Sequence, residues 1–484
     1  MSESEKTLDI QGIGKTITEV LAKRLKATDL FRTIILIFIC IIIISIFIWL
    51  YNIFTLPTNN CALLKQVYNN EVVPLSPISK DSVFDEPLYD FYIKTAYNAA
   101  SPGNFKNSFV DSPNTDPPFC GIETCLRQGA RCLDFEIYSY NNEPVIATSA
   151  LDSVFIKQTF NYLKFSDAMN YISESAFSPS ITTLFSDPLI LNFRVMSKRE
   201  NNPIYPKMAN ILLSSFGDRL LSSKYNLMNS CRNLGHEPLS TFKEKIIIII
   251  DENTYNELKI ICPVMKTQNC STDPTPKSNS LGSQSEQLSN TQNEINTSQC
   301  QNPNLLEFIN MHSGSPYIHT FRVSNFKLAD TSQITYANQT MLTMLLPDLN
   351  ANAINFNPSL GFTTGCQLVG MSFQNFDTNM EYYTLFFNKA GYAFAYKPKL
   401  LRYEKVYVPP PPSYPTSTNL NRRNLIFTTG TGTKVNLTQA SPGQDPDFCQ
   451  GFPTPNHPAC THNNTETLTN TPPPPSTPPN PTTN

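Results

Sequence analysis

Residues 125–149 read Cys-Leu-Arg-Gln-Gly-Ala-Arg-Cys-Leu-Asp-Phe-Glu-Ile-Tyr-Ser-Tyr-Asn-Asn-Glu-Pro-Val-Ile-Ala-Thr-Ser. A glycine turn at Gly129 leads into a strand, Cys132–Tyr138, in which Asp134 and Glu136 are two residues apart. On a strand that spacing points both carboxylates to one face, an expensive arrangement unless something positive lies between them. The Asn-Asn-Glu-Pro turn then returns the chain into a second apolar strand, Val145–Thr148.

Outward from this hairpin the chain alternates strands and helices. Residues 165–177 predict a helix, with Ala168, Met169, Ile172 and Phe177 spaced to bury one side. A compact apolar strand follows at Asp187–Val195, then a helix at Met208–Leu221. Lys245–Ile250 is an unbroken β-branched run followed by Asp251, as expected of a strand covered on both faces.

Several of these segments, in order, resemble the X region of eukaryotic phosphoinositide-specific phospholipase C. The family signature is a Gly-x-Arg-Cys strand carrying two alternating acids, a turn, and a Glu-Pro-Val strand ending in histidine. Here it is kept from Gly129 to Ile146, after which Thr148 stands at the histidine. The resemblance begins at Leu88, where Tyr-Asp-Phe-Tyr-Ile-Lys-Thr-Ala-Tyr-Asn-Ala matches the first barrel strand; Asn98 is kept and Tyr97 replaces the first histidine. Arg194 falls on a conserved calcium-binding acid. The Phe-Gly-Asp-Arg-Leu-Leu of 216–221 is also close to the family sequence.

Gly365–Gln374, Asn379-Met380-Glu381 and Tyr396–Arg402 resemble the Y region. Upstream of them the sequence is weak, and the family's phosphate loop appears as Thr343-Met344-Leu345-Leu346-Pro347 with its arginine gone. In the simplest register the substrate-phosphate lysines are replaced by Ile249 and Asp251, and the arginine by Met344. The resemblance implies an α/β fold, a distorted TIM-type (β/α) barrel split into X and Y halves, with its site at the C-terminal ends of the strands.

In that family two histidines move protons, three acids and an asparagine hold calcium, and lysines and an arginine hold inositol phosphates. Tyr97, with an ordinary pKa near about 10, and Thr148 cannot replace imidazoles at neutral pH. His236 is the only histidine in the X half; His312, His319, His457 and His462 lie later. A guanidinium at 194 beside Asp134 and Glu136 would neutralise them and take the space of a cation. No CxxC pair or other metal-ligand spacing is present. The expectation is that Asp134 and Glu136 are remnant carboxylates of a lost calcium site and that no cofactor is bound.

Residues 34–51 contain no charge and reach the roughly 20 residues that cross a bilayer. Thr33 and Ser45 can bond back to helix carbonyls. Lys15, Lys23, Arg24, Lys26 and Arg32 precede the run, against Lys65 and Lys80 after it, which predicts a cytosolic N-terminus and an exoplasmic or lumenal barrel. Charged residues are 15% and the net charge is −3, so no basic field suggests nucleic acid. Asn-x-Ser/Thr sequons, which chance also generates in an Asn/Thr-rich chain, occur at Asn269, Asn296, Asn338, Asn436 and Asn463. Eleven of the twelve cysteines follow the span, compatible with disulfides, whereas Cys132 and Cys366 are expected to be buried thiols.

The expected organisation is a cytosolic segment 1–32, a transmembrane helix 33–54, a connector 55–84, an X-like half 85–262, a disordered Ser/Asn/Gln-rich linker 263–303, a Y-like half 304–404 and a disordered Pro/Thr/Asn-rich tail 405–484. The functional expectation is a single-pass, catalytically inactive phospholipase C-like protein with a binding, scaffolding or structural role. Its partner would be a protein or a weakly held inositol headgroup. The alternatives are an active or residual phosphatidylinositol phosphodiesterase, and an envelope or surface structural protein.

Overall fold

The computed structural model describes residues 10–69, 72–79, 82–151, 155–197, 203–227, 233–261, 304–404, 426–428 and 434–436. Two compact units divide the chain at Tyr403. The first carries eight parallel strands: β1 (Phe91–Ala96), β2 (Cys132–Tyr140), β5 (Leu189–Met196), β6 (Ile246–Ile250), β7 (Met311–His312), β8 (Ile318–Arg322), β9 (Leu342–Leu346) and β10 (Leu368–Met371). They pair in the order β7-β6-β5-β2-β1-β10-β9-β8, a nearly closed barrel that opens between β7 and β8. Three short antiparallel strands lie off this path: β3 (Glu143–Ile146) pairs with β2, β4 (Leu163–Lys164) with β3, and β11 (Phe394–Tyr396) with β1.

Period-two alternation divides the barrel residues between two cores. Ile93, Cys132, Ile190, Ile247, Ile249, Leu342 and Met344 fill the interior. Leu133, Phe135, Leu191, Phe193, Ile248 and Val369 face outward under the helices. These are α2 (Cys120–Arg127), α3 (Phe165–Ser175), α4 (Ile204–Phe216), α5 (Glu252–Ile261), α6 (Val323–Leu328), α7 (Thr331–Ala337), α8 (Ser359–Phe362) and α9 (Thr378–Ala390). The five isoleucines of β6 are all buried, each β-branched side chain fitting a strand packed on both faces. Gly129 takes φ +76°, which the turn into β2 requires; an added Cβ would come within 2.7 Å of Leu75. Asn141 and Asn142 at φ 52° and 60° make the tight β2–β3 turn.

The structure departs from the sequence reading in several places. The apolar run lies in α1 (Ile10–Tyr68), which passes Pro57 and continues far into the expected connector. Packing overrides the local breaker: Leu64 and Tyr68 are buried, and Cys61 is disulfide-bonded to Cys120. Thr33 and Ser45 bond back to the carbonyls of Asp29 and Ile41, both at 2.8 Å. The expected helix at 208–221 instead begins at Ile204, with Pro206 in its first turn where its missing N–H is harmless, and ends at Phe216 with Gly217 as its C-cap. Strand β3 stops at Ile146, leaving Thr148 in coil. Asp187 lies outside β5, accepting from the amide of Ile78 at 2.7 Å. The expected linker 263–303 lies outside the described residues.

Within the second unit a small antiparallel pair, β12 (Ile426–Thr428) with β13 (Lys434–Asn436), occurs where an unfolded tail was expected. Cross-strand pairing of Phe427 with Val435 gives this short segment a β pattern that composition alone conceals. The sequon asparagine Asn436 ends β13, whereas Asn269, Asn296 and Asn463 lie outside the described residues.

Asn338 is a correction to the candidate glycosylation sites. It is fully buried, donates to Thr364 O at 2.8 Å, and its carbonyl accepts from Gln367 and Lys397, both at 2.9 Å. A glycan has no room there in the folded protein.

Candidate functional site

At the C-terminal end of the barrel, β2 and β5 pair so that Asp134 lies beside Asn192 and Glu136 beside Arg194. All four side chains therefore belong to the same inward-facing set. Asn98, just past β1, takes φ 47° and points its amide N–H at Asp134 Oδ2, 3.2 Å away.

Arg194 fills the space between the two acids. Its Nε donates to Asp134 Oδ1 at 2.9 Å, one terminal nitrogen to Asp134 Oδ2 at 2.7 Å and the other to Glu136 Oε1 at 3.0 Å. The nitrogen bound to Asp134 Oδ2 also donates to Asn98 Oδ1 at 2.7 Å. The remaining positions are filled by Asn192 Nδ2 on Asp134 Oδ1 (2.7 Å) and Asn98 Nδ2 on Glu136 Oε1 (3.2 Å). Glu136 Oε2 accepts from the Tyr138 hydroxyl (2.8 Å) and the Ser149 amide (2.9 Å).

Each of the four carboxylate oxygens thus has two donors, its full lone-pair capacity. Asp134 is 0% and Arg194 only 7% exposed, so solvent offers little competition. Burial works against the charged guanidinium, but the field of Asp134, with Glu136 adding to it, holds Arg194 well above its ordinary pKa.

Tyr97 closes one side. Its ring lies 4.9 Å from the Arg194 guanidinium, and its hydroxyl accepts from Arg322 at 3.0 Å. Arg322, the last residue of β8, also donates to Pro347 O at 2.8 Å. Burial pushes the Tyr97 phenol above its ordinary pKa, outweighing the pull of the two arginines, so it stays protonated at neutral pH. Thr148 is also buried and donates its hydroxyl to Phe105 O at 2.9 Å.

Of the three expected phosphate-anchor positions, Ile249 alone is in strand register with a cluster residue, Asn192, and it brings no charge. Ile249 and Met344 are 0% exposed members of the barrel interior, and Met344 belongs to strand β9 rather than to a loop. Asp251 accepts from the amides of Val195 and Thr254, both at 2.9 Å, and so ties β5 to the first turn of α5. It is a capping residue because helix α5 starts immediately after it.

Asn192, Tyr138, Ser149 and Arg322 are cluster members that the sequence reading passed over. Asn192 and Tyr138 were within reach, each standing two residues from a named site residue on the same strand. Arg322 lies in a segment without a recognisable motif. Of the histidines, His236 packs on Tyr89 and His312 stacks on Tyr255.

The model of the phosphatidylinositol-specific phospholipase C X domain matches residues 84–251 and that of the Y domain residues 286–400. Together they cover more than half of the chain. The chain belongs to the phosphatidylinositol-specific phospholipase C family. Similar solved structures include PLC21 of L. pealei (15% identity, TM-score 0.46) and PLC21 of S. officinalis (16%, 0.46). Each match covers 66% of this chain but only 38% of the other. The phosphatidylinositol-specific phospholipase C of Listeria monocytogenes is similar at 11% identity and a TM-score of 0.35, over 66% of this chain and 98% of that one. No curated protein sequence matches the chain significantly.

Calcium is the ion this family implies. The residues present do not fit it, since the oxygens that would ligate it are saturated by protein donors and a fixed positive charge sits among them.

Proposed function

We propose that this phospholipase C-family chain has given up phosphodiesterase chemistry and serves as a membrane-anchored binding, scaffolding or structural protein. The observation that carries this reading is Arg194, whose guanidinium spans Asp134, Glu136 and Asn98. Tyr97 and Thr148 add to it, because neither can pass a proton at neutral pH in place of an imidazole. The apolar Ile249 and Met344 offer nothing to an inositol phosphate, so a headgroup would be held weakly and a protein partner is favoured. Nothing in the charge balance favours nucleic acid.

The apolar part of α1 is long enough to span a bilayer. The distribution of basic residues around it supports a cytosolic N-terminus. The Cys61–Cys120 disulfide, close beyond the span, supports an oxidising exoplasmic or lumenal compartment for the barrel.

The test is release of soluble inositol phosphate from phosphatidylinositol vesicles by the purified full chain with millimolar calcium. The expected result is no release above the protein-free blank. Membership of the family supports the alternative, a phosphoric diester hydrolase, and calcium-dependent release would establish it in place of the first reading.

A further inference from the structure

Helix α1 runs without interruption for 59 residues, about 90 Å at helical rise and roughly three times the hydrocarbon thickness of a bilayer. The uncharged run therefore continues as helix at both of its ends. One residue works against such a rod. Pro57 has no N–H for the carbonyl of Ile53 and its ring crowds that turn, a defect that weakens a helix interior about 100-fold.

A row of contacts crosses the proline. Ile53, Leu56, Pro57 and Asn60 are half-buried and Cys61, Leu64 and Tyr68 are buried, a stripe at helical spacing that begins two residues after the uncharged run. Phe54, off that stripe, is 75% exposed. Gly103 of the barrel unit permits a close approach, since a Cβ there would stand 2.3 Å from Asn60 Nδ2.

Beyond the proline the helix is fixed twice. Cys61 is bonded to Cys120, the first residue of α2, while Tyr68 donates its hydroxyl to Phe373 O at 2.8 Å and meets the Phe376 ring edge-on at 5.4 Å. Cys120 lies in the X-domain match, and Phe373 and Phe376 lie in the Y-domain match, so the helix is pinned to both halves of the barrel. The buried cluster at this end comprises Cys61, Leu64, Tyr68 and Cys120, and the covalent bond carries much of its hold.

We propose that α1 is a strut and not a tether: stapled to the barrel beyond Pro57, it stays helical across the proline and carries the orientation of the barrel through the bilayer to the cytosolic turns. The inference rests on the reading of α1 as a membrane span. A flexible connector would let the barrel tumble above the membrane. The strut presents it to a partner in one orientation, and a partner that turns the barrel turns the cytosolic part of α1 with it.

Hydrogen exchange, read by mass spectrometry on the full chain in phosphatidylcholine nanodiscs, tests this. Amides 36–48 should be protected by lipid, which tests the span by itself. Amides 54–60, around the proline, should also exchange at least about 100-fold more slowly than coil. Coil-rate exchange at 54–60 with 36–48 protected would overturn the strut and leave the anchor intact, and unprotected amides at 36–48 would overturn both. Cys61→Ser with Cys120→Ser should raise exchange at 54–60 about 100-fold while β2 and β5 stay protected. Adding Pro57→Ala should then restore slow exchange, because the breaker is gone. No change in the serine variant, or fast exchange that persists after Pro57→Ala, would contradict the proposal. The wild-type measurement decides by itself if the serine variant fails to fold.

Discussion

Two buried cations stand on neighbouring parts of the barrel under opposite conditions. Arg194 has four donor contacts with Asp134, Glu136 and Asn98, and its charge is held firmly. Lys94, on the outer side of β1, is 0% exposed, its Nζ has no hydrogen-bond partner, and the nearest compensation is the Phe387 ring at 5.8 Å. Burial lowers its pKa from 10.5 to about 7. The contrast teaches that this fold keeps a buried charge where the sheet register supplies matching acids, and gives up the proton where it does not.

The largest effect that would sharpen the contrast is Arg194→Leu. Removing one partner strands two buried carboxylates, with an expected loss of about 3–5 kcal/mol in urea unfolding. A loss too small to measure would mean that the cluster is more hydrated than the structure implies.

Lys94→Met should act the other way, gaining about 2–4 kcal/mol at pH 7 because a buried amine with a depressed pKa is removed. For this base the folded value lies below the unfolded one. Its destabilising effect is therefore absent above pH 10.5, grows as pH falls towards about 7, and is constant below that. The advantage of Lys94→Met should accordingly shrink as unfolding is measured from pH 7 to 10. A gain independent of pH would assign the effect to packing instead.

Asn192→Ala removes one hydrogen bond to a charged acceptor and should cost about 2 kcal/mol in the same unfolding assay. The smallest effect is expected for restoring imidazoles alone. Tyr97→His with Thr148→His should release no inositol phosphate while Arg194 is present. Turnover by that pair would show that the arginine is not the barrier.

The barrel was legible in the sequence because its strands carry strong local signals. The glycine turn before Cys132, the alternating acids and the isoleucine run of β6 each report their own environment. The shared face of Asp134 and Glu136 was legible for the same reason, since two-residue spacing fixes the face of a strand, whereas the place of Arg194 beside them came from the resemblance, which set it at a calcium-binding acid. What the sequence concealed depends on contacts across the chain. Pro57 reads as a turn, yet α1 passes it because Leu64, Tyr68 and the bond from Cys61 to Cys120 hold the helix beyond it. Asn338 reads as a sequon, but only the folded Y half reveals that its side chain and carbonyl are enclosed. Arg322 entered the site through its side chain's reach to Tyr97, 225 residues away, which no local pattern encodes.

The most direct measurement is a calcium titration of thermal unfolding, comparing wild type with Arg194→Glu, while inositol phosphate release is assayed on the same samples. The account predicts no calcium-dependent rise in wild-type Tm and no release. It predicts a lower Tm in the variant that calcium restores, because a third acid replaces the guanidinium. A wild-type Tm that rises with calcium, accompanied by inositol phosphate release, would contradict the claim that Arg194 has taken the place of the metal.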